Sequence, residues 1–257
     1  MKIKKSFGIA CIRKKQQIEI LLIKKPVTYH YCEFISGHYY KNDDKHILKL
    51  FNNMTYYEKM DILTLKFHIM WFRLHRVNPE PNIFQGNYSM CKQYIQKKNK
   101  FETTFLHDGG LRLKRLIGNS NNIDTLWEAP KGKKNTGELD IDTAIREFYE
   151  ETLIEKDKYK LLLHIKPYIE TYSDFNITYQ SIIYFAEAIG DWEPNISFNN
   201  NLQTREVACI KWCALENIKY LGIEKTALNR LIKMFKKIKE KYKNSQKQKI
   251  RNIYNKN

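Results

Sequence analysis

No stretch of this 257-residue chain approaches the roughly 18 uncharged apolar residues of a membrane helix, and the start, Met1 to Gln17, has no apolar run of export-signal length. The chain therefore reads as a soluble protein that is not exported. Paired cysteines are lacking too. The five present, Cys11, Cys32, Cys91, Cys209 and Cys213, are odd in number and scattered without CxxC spacing, which argues against a disulfide framework and against a zinc site. A reducing, cytoplasmic compartment fits. The seven histidines do not cluster, and no internal repeat is present. Negative charge is scarce: 28 Asp+Glu face 45 Lys+Arg, a formal charge of +17. Such a charge draws polyanions and speeds encounter with them, so nucleic acid is the natural partner; A/T-rich codon usage is a competing source of the lysines.

The length admits one decorated domain or a domain with a sizeable insertion. Residues 6–12 and 18–23 are β-rich runs separated by the polar stretch Lys14 to Gln17 and closed by Pro26, which predicts a hairpin. Between about Tyr29 and Asn122 the character becomes aromatic and helical. Thr55 can cap a helix that Glu58 completes as a capping box, and the run Tyr56 to His75 predicts one long amphipathic helix stopped at Asn78-Pro79-Glu80-Pro81. Shorter helices are expected at 89–99 and 111–117, then a loop from Gly118 to Asn122. Beyond it come the loop Lys131 to Glu138, a helix to about Thr152, strands at 160–166, 177–188 and 207–213, and a final helix over 224–242. Leu228, Leu231, Ile232, Phe235 and Ile238 form the apolar stripe of that last helix. The expected domains are 1–29 with 123–257, and 30–122 as a helical insertion. A basic helix and tail follow from about 224.

The chemistry gathers in residues 132–154. Gly132 is followed after five residues by Glu138, and after seven more by Arg146-Glu147-Phe148-Tyr149-Glu150-Glu151-Thr152-Leu153-Ile154. On a helix of 3.6 residues per turn Glu147, Glu150 and Glu151 share one face, while Ile141, Ile145, Phe148 and Thr152 point away to pack. Like charges so crowded destabilise a helix unless a cation relieves them. Hard oxygen ligands suit Mg²⁺ or Mn²⁺, which can bridge a pyrophosphate, neutralise the leaving phosphate and acidify an attacking water. Arg146 can anchor Glu138 and so fix the loop to the helix, and Gly132 can turn tightly and offer its carbonyl to the metal. The competing reading, a solvated acidic helix, does not account for the spacing.

This spacing resembles the Nudix motif, with every charged position matched and two departures: Phe148 for the usual aliphatic residue and Leu153 for glycine. That glycine serves as a left-handed helix terminator, so Leu153 leaves the helix end in question more than the chemistry. The resemblance implies an α+β fold, an α-β-α sandwich with a mixed β-sheet between helices, and hydrolysis of a phosphoanhydride. It also implies a late acidic residue that completes the metal site or acts as base, before an apolar-x-Trp strand. Thr204-Arg205-Glu206-Val207-Ala208-Cys209-Ile210-Lys211-Trp212 makes Glu206 the candidate, with Glu187 and Glu193 as rivals and a surface glutamate at a strand start as the plainer role.

Trp127-Glu128-Ala129-Pro130-Lys131-Gly132-Lys133 resembles the W-x-x-P-K-G-K approach of mRNA-decapping and diphosphoinositol-polyphosphate Nudix enzymes, which assigns Lys131, Lys133 and Lys134 to a charged phosphate chain. A hairpin, a helical insertion of about 95 residues and then this motif resembles the decapping Nudix proteins of large cytoplasmic DNA viruses, of the African swine fever virus type. Within the insertion, Glu33-Phe34-Ile35, Leu48 to Thr55 and Trp71 carry the similarity. It implies hydrolysis of the 5′ cap of mRNA to 7-methyl-GDP and 5′-monophosphate RNA in the cytoplasm of an infected cell. Lys92, Lys97, Lys98, Lys100, Arg112, Lys114 and Arg115, with the tail, are candidates for the RNA body, each singly also a plain solvated cation. Phe34, Tyr39, Tyr40 and Trp71 could stack on the cap base, with core packing as the competing role. Hydrolysis of diphosphoinositol polyphosphates or free nucleotides, and RNA binding by an inactive scaffold, are the alternative functions.

Overall fold

A computed structural model of the chain describes residues 2–75, 88–123, 126–174, 177–197, 199–221 and 225–254. The first strand explains the architecture. In β1 (Lys2–Lys14) Phe7, Ile9 and Cys11 are buried on one face while Ala10 and Ile12 are buried on the other, so this strand must be covered on both sides. It forms the expected hairpin with β2 (Ile18–Lys24), with Ile12 opposite Ile20 and Lys14 opposite Ile18. On its other edge it runs parallel to β7 (Ile177–Ala188), from Lys2 beside Ile177 to Ile12 beside Glu187. β2 also pairs with β8 (Cys209–Ala214) and β3 (Trp127–Glu128), β4 (Lys131–Gly132) pairs with β1, and β5 (Tyr159–Leu161) and β6 (Tyr168–Asp174) pair with β7.

Helices cover this mixed sheet on both faces. On one, Ala144 and Phe148 of α7 (Asp140–Thr152) pack on Phe7, Ile9, Leu21 and Ile182. On the other, Leu231, Met234, Phe235, Ile238 and Tyr242 of α9 (Lys225–Tyr254) pack on Ala10, Leu22, Ile183 and Phe185. This is the helix-sheet-helix sandwich of the α+β class that the sequence led us to expect. Phe148, the first departure from the motif, is fully buried and meets Tyr159 edge-on with ring centroids 4.9 Å apart. Leu153, the second, ends α7 with φ 56° and ψ 24°, the only positive φ of a non-glycine among the described residues. The left-handed turn thus persists without glycine, held by the Leu153 amide on the Tyr149 carbonyl at 2.7 Å and by burial of Ile154 beyond it.

The chain divides into two compact units, Met1–Lys25 with Trp127–Asn257, and Pro26–Leu126. The second contains α1 (Tyr29–Ile35), α2 (Asp44–Asn52), α3 (Tyr56–Thr64), α4 (Phe67–His75), α5 (Tyr88–Phe105) and α6 (Leu111–Gly118) around an aromatic core of its own. Thr55 and Glu58 form the expected capping box, and the buried Glu58 carboxylate also accepts from the Thr28 amide at 2.5 Å and the Thr28 hydroxyl at 3.0 Å.

Four expectations are corrected. The single helix over 56–75 breaks at extended Leu65, because Ile62 and Phe67 both enter the core and a five-residue step on an unbroken helix would point them about 140° apart. The strand expected at 160–166 ends at Leu161, where Leu162 and Ile165 turn into the core, and β6 follows unforeseen because Tyr168–Asp174 is mostly polar. Residues 201–206 form a short helix, α8 (Asn201–Glu206), ahead of the late strand. The last helix runs on past 242 to Tyr254. The proline stop at 78–81 lies outside the described residues.

Candidate functional site

The site is built where β4 meets α7. β4 lies beside β1, with Gly132 opposite Phe7, and α7 packs over the same strands. Glu147 rises from the helix onto Gly132 so closely that a Cβ at 132 would sit 1.9 Å from its Oε2. With the Glu147 carboxylate held there, only glycine leaves that space. Four residues on, Glu151 is 1% exposed; its carboxylate accepts from the Lys131 amide at 2.8 Å and from the ammonium of Lys25, just past β2. Burial pushes its pKa up to about 7, with Lys25 opposing the rise. Burial also raises Glu147, against the pull of Arg146, and the charges of Glu150 and Glu206 add to the rise.

Arg146 is the hub. Its Nε and Nη2 hold the two oxygens of Glu138 at 2.8 and 3.0 Å, its Nη1 reaches Glu147 at 2.8 Å and Glu150 at 3.0 Å, and its Nη2 also donates to the Lys133 carbonyl at 2.9 Å. The fork ties loop 133–139 to the helix, as the sequence led us to expect for Arg146 and Glu138. The guanidinium, helped by the Asn135 amide and Thr143 hydroxyl, lowers Glu138 to about 2.

Glu206 comes to the same place from α8, not from a strand. It is about half exposed, 3.8 Å from the Lys25 ammonium, and close enough to Glu147 to raise its pKa. Buried Gln203 ties α8 to α7 by donating to the Glu151 carbonyl at 3.3 Å. The rivals lie elsewhere: Glu187 accepts from the Tyr242 hydroxyl, and Glu193 pairs with Arg13 at 2.5 Å.

Among the described residues no three Asp, Glu, His or Cys side chains converge on one point that could hold a metal ion. Arg146 and Lys25 instead take up the carboxylates. The donor set nonetheless suits a hard divalent cation. Five carboxylates, Glu138, Glu147, Glu150, Glu151 and Glu206, share these two cations, and Gly132 leaves Glu147 room against the backbone.

Of the expected phosphate-contacting lysines, Lys131 pairs with Glu128, Lys134 with Asp140 at 2.7 Å, and Lys133 is exposed. In the helical unit Lys98 lies 3.8 Å from Glu102, Arg115 holds Asp44 at 2.7 Å, Lys114 is exposed, and Lys97 packs its stem by Gly37. The aromatic candidates need correction. Phe34, Tyr39 and Trp71 are core residues, with Phe34 and Tyr39 stacked 5.1 Å apart, so they present no free ring to a cap base; Tyr40 is 76% exposed. Lys25 and Gln203 escaped sequence reasoning altogether. A lysine at a strand end carries no sign of its partner 126 residues away, and neither residue belongs to the spaced motif.

The model of the NUDIX domain matches residues 110–235. An African swine fever virus protein, mRNA-decapping protein g5R of isolate Pig/Kenya/KEN-50/1950, is 33% identical over 231 residues, covering 86% of this chain and 89% of that one. The same protein of isolate Warthog/Namibia/Wart80/1980 is 32% identical with the same coverage. A protein of Acanthamoeba polyphaga mimivirus, also named for mRNA decapping, is 28% identical over 86% of this chain and 66% of its own. No helix among the described residues is long and apolar enough to cross a membrane. By its motif, its sheet flanked by helices and its likeness along most of its length to the viral proteins, the chain belongs to the Nudix hydrolase family.

Proposed function

We propose that this protein removes the 5′ cap of mRNA, hydrolysing its phosphoanhydride to 7-methyl-GDP and RNA with a 5′-monophosphate, in the cytoplasm of an infected cell. The observation that carries the reading is the intact acidic face of α7 against Gly132, in a chain one-third identical to a protein named for mRNA decapping. Glu147, Glu150, Glu151 and the Gly132 carbonyl would hold Mg²⁺ or Mn²⁺. Bound there, the cation would offset charge on the leaving phosphate and lower the pKa of the attacking water. In this reading the water oxygen attacks one phosphorus of the bridge, the opposite P–O bond breaks, and a carboxylate takes the water's proton. Glu206, half exposed beside the buried acids, is the candidate for that proton or for a further ligand position. Arg146 and Glu138 keep the loop in place, so that Lys131, Lys133 and Lys134 approach the phosphate chain. The basic residues of the helical unit, Lys97, Lys98, Lys114 and Arg115 among them, would contact the RNA body.

The test is product analysis. With Mg²⁺ or Mn²⁺, cap-labelled RNA should yield 7-methyl-GDP, while diphosphoinositol polyphosphates and free nucleotides in parallel reactions report the alternative substrates. Turnover of those small molecules without 7-methyl-GDP release would eliminate decapping. Binding of RNA with no hydrolysis of any substrate would identify an inactive scaffold.

A further inference from the structure

The sheet face under α9 carries an aromatic and cationic row that the proposed chemistry does not use. Tyr172 of β6 and Tyr179 of β7 lie opposite one another, and their rings stack 5.1 Å apart and within 12° of parallel. Lys4 of β1, next in register, places its ammonium 5.6 Å from the Tyr179 ring, and Arg230 of α9 places its guanidinium 5.0 Å from Tyr172. The row is therefore cation, ring, ring, cation, and Tyr172 is 38% exposed. Its neighbours are polar: Ser6 and Ser181 share a hydrogen bond of 3.1 Å two residues along the strands, and the Lys131–Glu128 pair influences the Tyr172 hydroxyl.

From Arg230 the cations continue. Lys233 and Lys237 follow at three- and four-residue intervals along one side of α9, beside a groove of about 360 Å³ lined by Asn229, Ile232, Lys233, Lys236, Lys237 and Glu240, the last 3.7 Å from Lys237; Lys241, one turn on, turns its ammonium back to the Lys166 and Pro167 carbonyls. The 30-residue helix holds eleven Lys/Arg and one Glu. Cross-strand stacking alone would explain two tyrosines. It does not explain why both rings carry a cation and why one of those cations begins a basic stripe.

We propose that this face binds the single-stranded RNA body, taking a nucleobase at the Tyr172 end of the stack while Arg230 turns to a phosphate and the stripe through Lys233 and Lys237 follows the backbone. Stacked rings accept any base, and a row of cations follows the phosphates. The charge discriminates between two parts of a capped transcript. A 7-methylguanine carries positive charge and is disfavoured so near Lys4, which stays over Tyr179, and Arg230, whereas a neutral base attached to a phosphate that Arg230 can take is favoured. The assignment rests on the decapping reading for the identity of the polymer, but its test does not depend on hydrolysis.

The experiment is fluorescence anisotropy of a labelled, uncapped single-stranded RNA titrated with the full-length protein at several salt concentrations. Tyr172→Leu should weaken binding about tenfold, the loss of one base stack. Arg230→Ala should weaken binding and flatten the logarithmic salt slope by about one, the loss of one phosphate contact. Tyr172→Phe, which keeps the ring, should bind as the unaltered protein does. Affinity and salt slope unchanged in both Tyr172→Leu and Arg230→Ala would overturn the proposal, as would equal weakening by Tyr172→Phe and Tyr172→Leu. Competition for the Tyr172 site by 7-methyl-GTP in preference to uncapped RNA would assign the row to the cap and refute its role for the RNA body. Failure of the decapping reading would appear separately, as absence of 7-methyl-GDP from a protein that still binds RNA through Tyr172.

Discussion

Lys25→Met, followed by urea unfolding in the presence of a chelator from pH 5 to 9, tests how the most deeply buried carboxylate of the site is tolerated. Glu151 is 1% exposed, and burial lifts its pKa from the usual 4.5 to about 7 even with Lys25 against it. Below pH 4.5 the group is protonated in folded and unfolded chains alike, and folding bears no penalty. As the pH rises, the unfolded chain ionises first and stability drains away until the folded group ionises as well. At about 1.4 kcal/mol per pH unit the loss reaches about 3 kcal/mol above pH 7. Methionine preserves the apolar stem and removes the charge, so the carboxyl resists ionisation to a higher pH and the loss continues. The two proteins should be nearly equal in stability at pH 5 and differ by more than about 1.4 kcal/mol at pH 9. Glu206, half exposed and 3.8 Å from Lys25, loses only a weak, solvent-screened partner, and titrating groups that do not meet Lys25 cancel in the difference. A gap of the same size at both ends of the range would show that Lys25 acts through packing, and the electrostatic account would be wrong.

Glu147→Gln and Glu150→Gln should each lower metal-dependent release of 7-methyl-GDP by more than about a hundredfold while RNA retention persists, and undiminished release by both would remove the metal assignment. Gly132→Ala forces a Cβ to within 1.9 Å of the Glu147 carboxylate, so cleavage should be lost with the circular dichroism spectrum intact; full activity would mean Glu147 has another working position. In the helical unit, Glu58→Ala strands the amides of Thr28 and Thr55, costing about 3 kcal/mol in denaturant unfolding, and Glu58→Gln, which keeps one acceptor oxygen, should lose about half of that. Equal stabilities for these two variants would contradict that hydrogen-bond account.

Local rules carried the sequence reading where partners lie within one turn of helix or one hairpin. The capping box at Thr55 and Glu58, the hairpin of β1 with β2, and the fork of Arg146 on Glu138 all depend on short spacings that physical chemistry constrains. Contacts between distant segments were not legible in this way. Nothing near Lys25 announces Glu151, and the burial of Phe34, Tyr39 and Trp71 depends on helices α5 and α6, which return to them from much later in the chain. Periodicity misled at Leu65 because two apolar stripes of different phase abut there and read as one. Glu206 is singled out among its rivals by resemblance to the late Nudix strand and not by any local rule, and the short helix that delivers it is too polar to register as an apolar pattern.

The left-handed residue at the end of α7 bears on how such proteins are recognised. Leu153 adopts a backbone conformation that ordinarily costs a side chain about 1–2 kcal/mol, and the chain accepts it because Ile154 must enter the core immediately afterwards. What is preserved at this position is a direction of travel, with glycine only the least expensive means of achieving it. A search that demands the letter would pass over this chain, whereas one that asks for the turn, the buried residue after it and the spaced acids before it would recover it.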